Sequence, residues 1–242
     1  MAKKKPAANE NGRSDHAPIP AWKSQSVERS LQSARARAQE RSDRFVNAGI
    51  ELIKSTGDTG FTVQEVVDQS GMSIRTFYLF FATKDDLLLA IHETILASEV
   101  GPRLRQRTDA EPDPVNKIKV FIEALFDLSG NSAPATRAFM VQQHRLAESR
   151  PDDLDRAMEP QLNLVTELIQ DAAAAGWLRE GLDVKTSAQL VHQLVHGLVE
   201  ARVVGSHQAS AVSPEQVWEF CSTALGVTAQ RRRAPTRAAA RR

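Results

Sequence analysis

Several things are scarce in this chain of 242 residues, and each scarcity excludes something. There is a single cysteine, Cys221, so no intramolecular disulfide can form, which fits a reducing cytosol. No apolar run approaches the roughly 18 residues of a membrane span. Lys3-Lys4-Lys5 opens the chain without an apolar stretch behind it, so no secretory leader is expected. No nucleophile has a base beside it and no phosphate-binding loop occurs, which argues against an enzyme. Convincing alternating strands and internal repeats are missing as well, so an all-α protein is expected. Aromatic residues number only thirteen, yet four of them, Phe77, Tyr78, Phe80 and Phe81, fall within five positions.

What is present is ordinary in amount, with 41% apolar and 25% charged residues, but uneven in arrangement. Residues 1–41 hold nine Lys/Arg against four Asp/Glu, and residues 229–242 hold six Arg and no acid. With a net charge of +1, the body between them carries 1 − 11 = −10. Basic ends on an acidic body suit a polyanionic partner, or simply solvated tails. Both ends are poor in large apolar residues and are expected to lack order. The expected organisation is a disordered basic arm at 1–34, a first helical domain at 35–84, a second at 85–228, and a disordered Arg-rich tail at 229–242.

The first clear helix spans 41–54, with Phe45, Ala48, Gly49, Leu52 and Ile53 at helical spacing and a possible extension upstream through SARARAQ. Thr62-Val-Gln-Glu65 reads as a capping box opening a short helix that stops at Gly71. Ser73 caps the next helix, over 74–81, and Thr83-Lys-Asp-Asp86 caps a fourth that Gly101-Pro102 should end near Val100. Longer helices are expected near 114–129, 135–148, 153–175, 184–205 and 214–229, with a kink or restart at Pro160.

Helix, tight turn, then a second short helix with polar residues at its start is a helix-turn-helix, whose second helix enters the DNA major groove. On that helix the spacing puts Ile74, Phe77, Phe80 and Phe81 on one side and Arg75, Thr76, Tyr78 and Leu79 on the other or at its edges. Arg75 is the only long donor there, and guanine is the usual target of such a side chain. Thr62 and Ser73 stand at helix N-termini, which favour anions. Lys84 opposes its own helix dipole, a conflict that a phosphate would remove.

The stretch TVQEVVDQSGMSIRTFYLFFATKDDLL, with RFVNAGIELIKSTGDTGF before it, resembles the DNA-binding signature of the tetracycline-repressor (TetR) family of bacterial regulators. Gly71, Ser73, Thr76, Tyr78, Phe81, Lys84 and Leu87 fall in register with that family's short elements, and the likeness covers about 45 residues. It implies a homodimer on a palindromic double-stranded DNA operator, released by a small-molecule effector, in a bacterial cytoplasm and on the nucleoid when DNA-bound. Carried over by position, Thr62, Ser73, Thr76, Tyr78 and Lys84 would touch backbone or phosphate and Arg75 a base, with Arg44 and Ile74 also in the DNA-binding set. Leu79 stands where the family often has His, so it offers only apolar contact, for instance to a thymine methyl. Residues 42–100 carry four Lys/Arg against nine Asp/Glu, so cations of the N-terminal arm, Arg35, Arg37 and Arg41, are expected to supply phosphate or minor-groove contacts.

Further along, Leu190, Val191, Leu194, Val195, Leu198 and Val199, with Val217, Trp218, Cys221 and Leu225, form stripes suited to an intersubunit four-helix bundle or to an internal core. Phe121, Phe126, Phe139 and Met140, with Gln143 or His144 as polar contacts, are candidate lining for a pocket with an apolar effector, and no cofactor is implied. His192 and His196 have metal-ligand spacing, but Gln193 stands where a zinc peptidase would need Glu, so interface or pocket histidines are the simpler reading and no metal is expected. The rival functions are a helical ligand carrier and a protein that coats DNA through its basic tails.

Overall fold

A computed structural model of the chain describes residues 21–130 and 134–227. Every regular element among them is helical. The chain divides into two units, Met1–Ser42 and Asp43–Arg242. The first helix, α1 (Ala21–Thr56), starts inside the stretch 1–34 that was expected to lack order. Its sequence there, VERSLQSARARAQ, is rich in Ala, Arg, Gln and Glu, which favour helix even with little burial. Within the first unit residues 25 and 27–41 of this helix are solvent-exposed, including Val27 and Leu31. The rest of the expected arm (1–20) and the expected Arg-rich tail (229–242) lie outside the described residues.

In the second unit the short elements follow their caps. The helix α2 (Val63–Ser70) opens on the full Thr62–Glu65 capping box and closes on Gly71 at φ 66°, a left-handed turn that only glycine takes without strain. Ser73 caps α3 (Ile74–Phe80), and Thr83 with Asp86 forms a second capping box on α4 (Lys84–Ile95). The expected stop at Gly101-Pro102 does not occur. The chain widens into a π turn, Leu96–Val100, where the Gly101 amide reaches back five residues to the Leu96 carbonyl. Pro102 then falls in the first turn of α5 (Gly101–Asp109), where its missing N–H does no harm. After it come α6 (Pro114–Gly130), α7 (Pro134–Ser149), α8 (Pro151–Ala174), α9 (Val184–Val203), the single turn α10 (His207–Ser210) and α11 (Pro214–Ala224). Pro160 sits inside α8 without dividing it into separate helices.

One apolar cluster joins α1 to α4: Phe45, Val66, Phe77 and Leu87 are wholly buried in it, with Ile91 beside them. Phe45 meets Phe77 edge-on at 5.4 Å and Phe81 at 6.3 Å, so three rings pin α3. Gly49 allows α4 close to α1, since a Cβ there would come within 2.4 Å of the Ile91 Cδ1. A larger cluster centres on Leu104, Ile118, Phe121, Ile122, Val165, Ile169 and Val195, from α5, α6, α8 and α9. The contrast inside α3 yields a prediction. Phe77→Ala should cost about 3–5 kcal/mol by urea denaturation, while exposed Leu79→Ala should stay within about 0.5 kcal/mol.

Candidate nucleic-acid interface and effector cavity

The outward face of α3 is unusually apolar for a surface. Ile74, Tyr78 and Leu79 are 46%, 56% and 74% exposed on a seven-residue helix. Ile74 therefore departs from the helix-wheel expectation that grouped it with the phenylalanines: at the first position of α3 it projects past the aromatic cluster instead of into it. Arg75 is exposed between these residues and makes no ion pair or side-chain hydrogen bond among the described residues. Exposed aliphatic side chains, a tyrosine ring and an unengaged guanidinium on one short face are the composition of a contact surface.

Around this face the hydroxyl groups can be accounted for donor by donor. The Ser73 Oγ accepts from the Thr76 amide at 3.1 Å and pairs with the Thr76 Oγ1 at 2.8 Å. Two hydroxyls share one such bond, so one O–H remains free to donate outward. Thr62 is more occupied: its amide and its hydroxyl both donate to the Glu65 carboxylate, at 2.6 and 2.9 Å. These bonds hold the Glu65 carboxyl below its ordinary range. An anion approaching Thr62 would have to share its donors with that carboxylate. Lys84 has a protein partner, its Nζ lying 4.8 Å over the Phe61 ring, and this contact partly offsets the dipole conflict read from the sequence. Burial lowers the Lys84 ammonium, with Asp85 and Asp58 pulling the other way. Arg44 is exposed on α1.

A cavity of about 430 Å³ lies in the same unit, among α1, α4, the π turn and α5 to α9. Of the six candidate lining residues, Phe139, Met140 and Gln143 border it. Phe121 and Phe126 are instead buried in the large core, and His144 points to solvent between Glu200 and Glu148. Sequence reasoning missed Ile50, Ile53, Ile95 and Leu96, because their periodicity reads as packing whether they meet protein or cavity. It also missed Gln161 and His196 as a pair: the Gln161 Oε1 accepts from the His196 Nε2 at 2.8 Å across 35 residues of sequence.

The helix that follows α3 is tied at its start to the helices packed behind it. Asp86, in the capping box of α4, accepts from Arg150 at 2.7 Å, and Arg150 also donates to Asp153 at 2.6 Å. The start of α4 is thereby clamped to the junction of α7 and α8. Burial resists charging of Asp86, but its bonds from Thr83 and Arg150 prevail and lower its pKa.

The proposed dimer stripe divides in two. Val191, Val195, Cys221 and Leu225 are buried in the chain's own core, which removes them from any surface contact. Leu194, Leu198 and Trp218 are half-buried, and the outward apolar residues are Leu190, which the stripe included, and Phe220, which it did not. Burial raises the Cys221 thiol to about 11, so it packs and does not react. Among the described residues no group of three or more His, Cys, Asp or Glu is placed to hold a metal. No helix among them is long and apolar enough to cross a membrane.

Two histidines, His92 and His192, are buried, and His196 is half-buried at the cavity. Burial lowers His92 and His192 to about 4, and His196, further opposed by His192 and His92, to about 3. In the unfolded chain each would titrate near 6.5, so between pH 6.5 and 4 the unfolded state binds more protons. Stability is therefore full above pH 6.5 and falls as the pH drops, by up to about 1.4 kcal/mol per pH unit for each such histidine. Urea midpoints measured from pH 7.5 to 5 should show this loss, and His92→Phe should flatten it.

Residues 45–91 match the model of the bacterial regulatory proteins of the tetR family. An uncharacterized HTH-type transcriptional regulator, YvdT, of Bacillus subtilis is 21% identical over 186 residues, covering 76% of this chain and 94% of that one. In solved structures, FadR of Bacillus subtilis in complex with stearoyl-CoA superposes with a TM-score of 0.59 at 21% identity, covering 74% of this chain and 96% of its own. RolR in complex with resorcinol gives 0.58 at 18%, covering 78% and 96%. Residues 45–91, which hold α2 and α3, are thus similar to the tetR family of bacterial regulatory proteins, and the all-helical chain shares the fold of these solved neighbours.

Proposed function

We propose that the chain is a homodimeric repressor that reads a palindromic operator with α3 and leaves it when a small molecule fills the cavity. The observation that carries this reading is the outward face of α3, where Arg75 stands unengaged among exposed Ile74, Tyr78 and Leu79. In this reading Arg75 contacts a base edge, and Leu79 and Ile74 make apolar contacts such as a thymine methyl accepts. Tyr78, the free hydroxyl of the Ser73–Thr76 pair, Arg44 and Lys84 contact the backbone. Thr62 contributes through the helix end it caps more than through its hydroxyl.

Residues 35–84 form the DNA-binding part and 85–228 the effector and dimer part, on this proposal. Leu190, Leu194 and Leu198 lie on one face of α9, with Gly197 open beside them, and Phe220 projects from α11. A second copy is the partner this apolar surface suits. The effector reading is supported by the cavity wall itself: Ile50 and Ile53 from α1 and Ile95 from α4 border it, so a ligand there touches the helices that hold α3. The ligands named for the two solved neighbours, stearoyl-CoA and resorcinol, differ widely, so the effector class has to come from this chain's own cavity. A bacterial cytoplasm is the compartment where such a regulator meets DNA.

Selection of binding sites from random duplex DNA near physiological salt should enrich a palindrome with half-sites about one helical turn apart. On that palindrome Arg75→Ala should weaken binding by about 1–3 kcal/mol and relax preference at one position per half-site. An unselective, steeply salt-dependent pool would instead favour tail-driven coating. Removing residues 1–37 should weaken operator binding and flatten its salt slope, and an unchanged slope would exclude the arm from the contact.

A further inference from the structure

The start of α4 and the end of α7 border a second recess, of about 460 Å³, which shares no lining residue with the effector cavity. Two cations face it from different helices: Lys84 at the first position of α4 and Arg145 near the end of α7. Burial lowers the Lys84 ammonium, and the nearby Arg145 guanidinium lowers it further, while Asp85, Asp58 and Glu65 oppose this. Neither cation forms an ion pair or a side-chain hydrogen bond among the described residues, and Lys84 has only the Phe61 ring. Two carboxylates share the recess, and each has its own reason to be there. Asp85 sits in the first turn of α4, where a helix end favours an acid, and Glu148 lies 3.7 Å from His144. Like charges brought together repel, and an anion held against both removes that cost.

The charge balance of the chain indicates which anion. Residues 42–100 carry four Lys/Arg against nine Asp/Glu, so a DNA-binding part built from them is short of cations. Lys84 is already among the proposed backbone contacts, and Arg145 opens on the same recess from outside that part. A guanidinium also presents its N–H groups as a fork that matches two phosphate oxygens.

We infer that Arg145, on α7, is a further DNA contact that donates to a backbone phosphate at the recess it shares with Lys84. This rests on the reading of the chain as a DNA-binding regulator. The contact carries no sequence information; it holds and positions the chain on the duplex. It also gives α7 two tasks. Phe139, Met140 and Gln143 border the effector cavity, and Arg145, two residues further on, holds the DNA. A ligand that shifts α7 then acts on a DNA contact without passing through α3.

Binding of the full-length chain to duplex DNA is measured by fluorescence anisotropy across salt concentrations from about 0.05 to 0.3 M. The duplex is the pool that site selection returns, palindromic or not, because a phosphate contact needs no particular sequence. Arg145→Gln should weaken binding about fivefold near 0.15 M salt and lower the slope of log K against log salt by about 0.9, the share of one phosphate. Arg145→Lys keeps the charge and should keep the slope. Arg137→Gln removes the same charge from an exposed position of α7 outside the recess, and it should change neither quantity. Glu148→Gln takes a carboxylate out of the recess and should tighten binding, a gain that misfolding cannot imitate. An unchanged slope in Arg145→Gln, an equal loss in Arg137→Gln, no gain in Glu148→Gln, or no binding by the unmodified chain would overturn the inference. The operator reading fails separately, in the sequences recovered. An unselective pool that still loses fivefold with Arg145→Gln would uphold the contact and count only against the operator, and a palindrome indifferent to Arg145→Gln would do the reverse.

Discussion

The edge-on contact between Phe45 and Phe77 is what the reading head depends on. A helix of seven residues has no stability of its own, because nucleation consumes most of what its few hydrogen bonds return. Here α3 is held from beneath by the Phe45 ring of α1 and by Phe81 just past its end, and from its N-terminus by the Ser73 cap. With the inner face fixed, the outer face is free to carry residues that would be poor choices in water. Arg75, Tyr78 and Leu79 owe their fixed positions to a core they do not join.

The same two helices serve two surfaces. On one side α1 and α4 support α3 through Phe45, Leu87 and Ile91; further along they border the cavity through Ile50, Ile53, Ile95 and Leu96. The close approach at Gly49 and the Arg150–Asp86 clamp leave little slack between these ends. A change at the cavity wall is therefore a change in the support of the reading head, with no need for a long relay of intermediate residues.

Much of the short N-terminal architecture was legible because capping chemistry is local. Thr62–Glu65, Ser73 and Thr83–Asp86 each announce a helix start within four residues, and all three formed as read. Local rules failed where two remote segments meet. The Phe61 ring beneath Lys84 is 23 positions away, and the Gln161–His196 bond spans 35, so neither leaves a pattern in sequence. The stripe on α9 had the right periodicity, but periodicity cannot distinguish the inside of one subunit from the seam between two: Val191 and Val195 went inward, Leu190 outward. Gly101-Pro102 misled for a different reason. The rule for proline assumes four-residue spacing, and the backbone there uses five.

That π turn has a mechanical meaning. Between Leu96 and Val100 the helix carries one residue more than α geometry needs, and three of the residues in it, Leu96, Glu99 and Val100, face the cavity. Such a surplus is a phase offset. Were it absorbed upstream or downstream, each intervening residue would advance by about 100° around the axis and about 1.5 Å along it. One part of the cavity wall is thus the stretch of this helix whose winding departs from α geometry.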